Sequence, residues 1–274
     1  MRVHARDLDF DVREGGPDDG PPVLLLHGFP QHGGMWDGVV AELNAAGLRT
    51  YAPDQRGYSP GARPSDVDTY RMPVFAQDAV AVLDALGVDR AHVVGHDWGS
   101  IVGWHLAIDH ADRVHTLTAV SAPHPAAFAD ARRADDDQRQ RSGYMSLFAM
   151  PGKAEEVLLA DEGRRLRGLF TGAGLSEERL ESYVAPLLEP GALTGALNWY
   201  RRLERPNLGP AELPVTFIWG RDDPAIGPAA ALACASYVAP GADYRFVPLD
   251  DIGHWVPDQV PELVAAEVLA RVRG

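Results

Sequence analysis

The chain has 274 residues, 46% of them hydrophobic, which suits one large packed domain or a core domain carrying an insertion. Its formal net charge is −14 and its sequence pI about 5.0, a balance that disfavours nucleic acid and anionic membrane surfaces as partners. The single cysteine, Cys234, cannot form an internal disulfide, the N-terminus lacks a signal-like apolar region, and no apolar run reaches membrane-spanning length. A cytoplasmic monomer or homodimer is therefore expected.

Residues 1–12 alternate weakly and predict an edge strand, followed by turn chemistry from Gly15 to Pro22. The apolar run at 23–26 predicts a strand buried on both faces of a parallel sheet, and it ends in His27-Gly28-Phe29-Pro30. Helical spacing covers 36–46, where Gly47 stops it; a short strand follows at 49–53, then an amphipathic helix at 70–86 closed by Gly87. A strand at 91–94, a helix at 100–110 and a strand at 114–120 continue the alternation. That order implies right-handed crossovers and a mostly parallel sheet flanked by helices.

The alternation breaks between 123 and 210. This segment shows no strand pattern, only short helical patterns at 153–160, 163–170, 176–188 and 194–205. Ser176 followed by Glu177 and Glu178 forms a good helix start. The charged stretch at 130–141, including Asp135, Asp136 and Asp137, reads as a solvated face. Strands resume at 215–219 and 244–247, and 261–273 is the terminal helix; Cys234 falls in an alanine-rich helical run at 229–235 and reads as buried. The expected organisation is a core formed by 1–122 and 211–274, with a helical cap at 123–210. The cap would cover the edge of the sheet where open α/β folds bind ligands.

Three strand ends carry the chemistry. In Gly95-His96-Asp97-Trp98-Gly99 an aspartate occupies the nucleophile position of a G-x-S-x-G elbow, on a sharp strand-to-helix turn. Trp219-Gly220-Arg221-Asp222-Asp223 follows one later strand, and Ile252-Gly253-His254-Trp255 follows the next. The order nucleophile, acid, histidine is that of the α/β-hydrolase triad. His254 would act as general base and an aspartate would orient it, with Asp222 and Asp223 both available from the residues alone. His27 and His96 lie outside that order and are expected to make structural hydrogen bonds.

Across essentially its whole length the chain resembles the α/β-hydrolase superfamily, and within it the soluble epoxide hydrolase branch. His27-Gly28-Phe29-Pro30 resembles the family's His-Gly-x-Pro loop, and the segment around Asp97 resembles its elbow. Asn198-Trp199-Tyr200-Arg201 is similar to the element that carries one ring-opening tyrosine, and Tyr144 before Pro151-Gly152 to the segment that carries the other. The resemblance implies an α/β-hydrolase fold, Asp223 as the acid, and hydrolysis of an apolar epoxide by water to a vicinal diol. No cofactor and no metal are expected.

A carboxylate can open the strained ring directly, forming an ester on Asp97, while phenols supply the proton that the departing alkoxide needs. Backbone N–H groups of Phe29 and Trp98 would receive the oxyanion formed when water attacks that ester. The side chains of Phe29, Trp98, Trp199 and Trp255 are candidate substrate contacts.

Haloalkane and haloacid dehalogenases share the Asp–His–Asp arrangement. The haloalkane enzymes usually have Asn where this chain has Phe29, however, and fluoroacetate dehalogenases usually have Arg where it has Trp98. A non-hydrolytic or ring-forming biosynthetic member of the fold is the remaining alternative, since one fold hosts many functions.

Overall fold

The computed structural model describes residues 1–204 and 206–273. Val23, Leu24, Leu25 and Leu26 are wholly buried; a strand covered on both faces has no solvent side to mark by alternation. They belong to β3 (Pro22–Leu26), one of eight strands with β1 (Arg2–Ala5), β2 (Leu8–Gly15), β4 (Arg49–Pro53), β5 (Ala91–His96), β6 (Val114–Val120), β7 (Val215–Gly220) and β8 (Tyr244–Leu249). They form one sheet in the order β1-β2-β4-β3-β5-β6-β7-β8. The pairs β1–β2 and β2–β4 are antiparallel and the others parallel.

The parallel register aligns Leu26 with Gly95, His96 with Val120, Val120 with Ile218, and Gly220 with Leu249. The chain therefore leaves β3, β5, β7 and β8 along one edge of the sheet, which is how residues far apart in sequence meet there.

The sheet is flanked by α1 (Asp37–Ala45), α2 (Met72–Ala85) and α3 (Trp98–Asp109). Between β6 and β7 run α4 (Pro125–Ala134), α5 (Asp136–Arg141), α6 (Tyr144–Phe148), α7 (Lys153–Gly168), α8 (Glu177–Val184) and α9 (Ala192–Arg201). After β7 come α10 (Pro228–Ala233), α11 (Val256–Gln259) and α12 (Pro261–Arg273). Among the described residues no helix is long and apolar enough to cross a membrane.

Several expectations change in detail. Residues 1–12 contain two strands: Arg6 and Asp7 both take positive φ, 51° and 61°, and fold the segment into a hairpin. The helical patterns at 153–160 and 163–170 are two halves of α7, separated by non-helical backbone from Ala160 to Gly163. Helices α4, α5 and α6 were not anticipated. Asp135 caps α5, its carboxylate accepting from the Gln138 N–H at 2.7 Å. The expected helix at 194–205 ends at Arg201, and Arg205 lies outside the described residues. So does Gly274, the last residue of the expected core.

The inserted helices are tied to the sheet side at several places, among them α9, α8 and α5; at α5, Gln138 donates to the Ala225 carbonyl at 2.8 Å. At α9, a Cβ on Gly195 would lie 2.5 Å from the Gly57 carbonyl oxygen and one on Gly57 2.6 Å from that of Gly195, so only paired glycines permit this approach. Beside it the Trp199 indole N–H donates to the Arg56 carbonyl at 2.9 Å, while its ring stacks on Phe75 with centroids 3.7 Å apart. Arg56 is held in turn by two hydrogen bonds to buried Asp78, at 2.6 and 2.9 Å. At α8, Arg179 and the Tyr183 hydroxyl both donate to Asp258 Oδ1, at 3.0 and 2.7 Å.

Candidate active site

The turn between β5 and α3 holds Asp97 at φ 52°, ψ −121°, a region that non-glycine residues rarely enter. Such strain costs of order 1–3 kcal/mol and persists only where the surroundings impose it. Close backbone approach imposes it here. A Cβ on Gly99 would sit 2.0 Å from the Leu26 carbonyl oxygen, and one on Gly28 would sit 2.4 Å from the Asp97 carboxylate. The strand, the turn and the loop after β3 interlock because both positions are glycine.

That approach brings the Phe29 backbone N–H to 2.9 Å from Asp97 Oδ1. The Trp98 backbone N–H supports the same carboxylate. His254 Nε2 lies 3.5 Å from Asp97 Oδ2, and its Nδ1 lies 2.8 Å from Asp223 Oδ2. Asp223 is fully buried, and its Oδ1 accepts from the Ala225 and Ile226 N–H groups at 2.7 and 3.0 Å. With both oxygens engaged, the carboxylate holds one face toward the imidazole. Asp222 is exposed.

Burial opposes charge on His254, but Asp223 and Asp97 outweigh it and push the imidazole up to about 10. Burial likewise opposes charge on Asp97. The hydrogen bond and charge of His254 prevail, holding the carboxyl below its ordinary range. At neutral pH the resting arrangement is thus an imidazolium between two carboxylates.

His96 lies against the triad without joining it. Its Nε2 donates to the His254 carbonyl at 2.8 Å, and the Ser121 hydroxyl donates to the same oxygen at 2.8 Å. Burial depresses His96 to about 4, so it stays neutral. His27 is similar. Its Nε2 accepts from the Gln55 N–H at 2.9 Å, which leaves Nδ1 as the donor to the Gly28 carbonyl at 3.0 Å. Both make the structural hydrogen bonds expected of them.

Asp97, Trp98, Tyr144 and Tyr200 line one cavity of about 750 Å³, to which α4, α6 and α9 contribute alongside the sheet edge. Tyr200 is 6% exposed and packs edge-on to Trp98 and Phe29, with centroids 5.0 and 5.3 Å apart. Tyr144 is 37% exposed, and its ring lies 6.2 Å from that of Tyr200. Burial raises both phenols above their ordinary range, with the Asp97 charge adding to it. Both remain protonated donors.

Three of the candidate substrate contacts are corrected. Trp199 does not line the cavity; its indole is turned to Arg56 and Phe75, one helical step from Tyr200. Trp255 packs on Phe170 and edge-on to His254, with centroids 4.4 and 4.9 Å apart, and is also outside the lining. The Phe29 ring is buried against Phe148 and Tyr200, so its approach to the site is through its backbone. Conversely, Met72, His105, Arg132 and Met145 line the cavity and were missed. For Arg132 a signal existed: it falls four residues after Phe128 on the face of α4 that borders the cavity.

The fold and this arrangement define an α/β hydrolase. The chain belongs to the α/β hydrolase fold family, whose model matches residues 21–259. It is 32% identical to epoxide hydrolase A of Mycobacterium tuberculosis over 316 residues, covering 99% of this chain and 96% of that one. It is 31% identical to the AB hydrolase superfamily protein YfhM of Bacillus subtilis, covering 99% and 97%. Among solved structures, epoxide hydrolase A of Mycobacterium thermoresistibile superposes with a TM-score of 0.87 at 28% identity, covering 100% of this chain and 98% of that one.

Proposed function

We propose that the protein hydrolyses epoxides to vicinal diols through an ester on Asp97, with the inserted helices acting as a lid that supplies the acid. The observation that carries this reading is a carboxylate and two protonated phenols lining one cavity. An Asp97 oxygen attacks a ring carbon, the C–O bond breaks, and the departing oxygen takes a proton from Tyr200 or Tyr144. Esterification removes the Asp97 charge that helps hold the proton on His254. His254 then gives up that proton, which restores the phenol.

The neutral imidazole now accepts a proton from water, whose oxygen attacks the Asp97 carbonyl carbon. The Phe29 and Trp98 N–H groups, which hold the resting carboxylate, stabilise the oxyanion. Collapse expels the diol and returns the imidazolium and the carboxylate, so the protons balance over the cycle.

A dehalogenase would need donors for a departing halide. Phe29 offers none from its side chain, and the Trp98 side chain is already engaged with Tyr200. Replacing both tyrosines with Phe is expected to lower the ring-opening rate about 10²–10⁴-fold. Either single replacement retains part of the rate, because the other phenol still reaches the oxygen. Rapid-mixing measurement of ring opening checks this.

The deciding experiment is a single turnover in ¹⁸O water with enzyme in excess over styrene oxide. Unlabelled diol with ¹⁸O on the Asp97 peptide is expected. Label found only in the diol means direct attack by water and overturns the ester route.

A further inference from the structure

Arg132 carries a charge that no acidic side chain among the described residues pairs with. It lies in the last turn of α4, half-buried, and borders the same cavity as Asp97. A cation at a helix C-terminus suits the helix dipole. Arg133, which also borders the cavity and is largely exposed, pairs with Asp130 at 2.9 Å. Arg132 is the more buried of the two, and among the described residues it makes no ion pair.

The other charged groups on the cavity wall already have partners. Asp130 also accepts from the Tyr237 hydroxyl at 2.6 Å. Arg202 pairs with Asp68 at 3.1 Å and Glu204 with Arg71 at 3.0 Å. Asp109 meets His105 at 3.0 Å, with its own side chain 46% exposed. Arg132 is close enough to the reacting groups for its charge to act on the Tyr144 phenol, against the larger effect of burial. The wall of the cavity that Arg132 and Asp97 share is largely apolar, with Ile101, Phe128, Met145 and Ile226 among its lining. A partly desolvated guanidinium gains most from an anion that it can hydrogen-bond.

We propose that Arg132 is a subsite for the anionic end of the substrate, and that the favoured epoxides carry a carboxylate separated from the ring by an apolar spacer. This rests on the epoxide hydrolase reading. A lone guanidinium matches a monoanionic carboxylate through paired N–H donors, whereas a phosphate dianion calls for several cations. The cavity then has two ends: Asp97 and the phenols hold the ring, and Arg132 selects which molecules present it.

The test compares 4-carboxystyrene oxide with its methyl ester in the wild type, Arg132→Gln and Arg132→Lys. The acid-to-ester ratio of kcat/KM is expected to be about tenfold in the wild type and near one in Arg132→Gln, the difference lying in KM. Arg132→Lys keeps part of the preference, and added salt narrows it. Equal treatment of acid and ester by the wild type, or a preference that survives Arg132→Gln, overturns the subsite. Styrene oxide is run alongside. If no epoxide at all is hydrolysed, the hydrolase reading falls, and calorimetric titration with 4-(1,2-dihydroxyethyl)benzoate and its methyl ester still reads the subsite. Tighter binding of the acid, lost in Arg132→Gln, supports it; equal binding of acid and ester by the wild type overturns it.

Discussion

Asp97→Ala is expected to lower kcat about 10⁶-fold, the scale on which removal of a covalent nucleophile acts. The remaining groups cannot replace it. His254 could still pull a proton from water, but it would then lack a carbonyl to direct that water toward, and the Phe29 N–H would face no oxygen. Any residual turnover should therefore proceed by water attack on the ring. In ¹⁸O water its first-turnover diol would be labelled, the reverse of the wild-type pattern. A thermal melt close to that of the wild type would show that the loss is chemical, since the interlocking at Gly99 involves backbone of Leu26 and His27 that the substitution leaves in place.

His254→Gln divides the reaction at its midpoint. Ring opening needs Asp97 and the phenols, so the variant should form the ester once and stall. Its Asp97 peptide would gain the mass of one intact epoxide, and steady turnover would drop about 10²–10⁴-fold. In the wild type, kcat limited by ester hydrolysis should rise with pH to a plateau, with a midpoint below the resting imidazolium's value of about 10, because esterification cancels the Asp97 contribution.

The same proton links to stability. The folded value lies above the ordinary 6.5, so the stabilisation is complete below about pH 6.5 and is lost as pH rises through about 10. Melting curves of the wild type should show this decline, and those of His254→Gln should lack it. A midpoint for kcat above 10 would contradict the role assigned to esterification.

What could be read from sequence follows from how locally each feature is determined. The parallel strands announce themselves because burial on both faces leaves runs such as Val23–Leu26 with no polar residue. The strand-end loops are local too, so Asp97 and His254 could be picked out before the structure placed them together. The choice between Asp222 and Asp223 was not local, since it depends on which carboxylate turns inward beneath the loop after β8. Helices α5 and α6 span six and five residues, too few turns for a periodic pattern to emerge. Trp199 and Tyr200 are neighbours pointing about 100° apart on α9. Which of them meets the cavity is decided by how the whole helix seats on the loop at Gly57, and no window of sequence contains that information.

The glycine pair at positions 57 and 195 bears on how such an enzyme can change. Contact between two backbones has no rotamers to adjust, so α9 either docks at that spot or does not dock. Tyr200 inherits its position from the contact, and through the Trp199–Arg56–Asp78 chain that position is anchored to α2. Among the described residues the opposite wall makes no such backbone contact with the Gly57 loop: α6 carries the other phenol, Tyr144, and α4 is held through the side chain of Asp130, which accepts from the Tyr237 hydroxyl. Mutations on α4 can redraw what the cavity accepts while Tyr200 stays where the chemistry needs it, so selectivity and the rate that Tyr200 supports are free to drift apart.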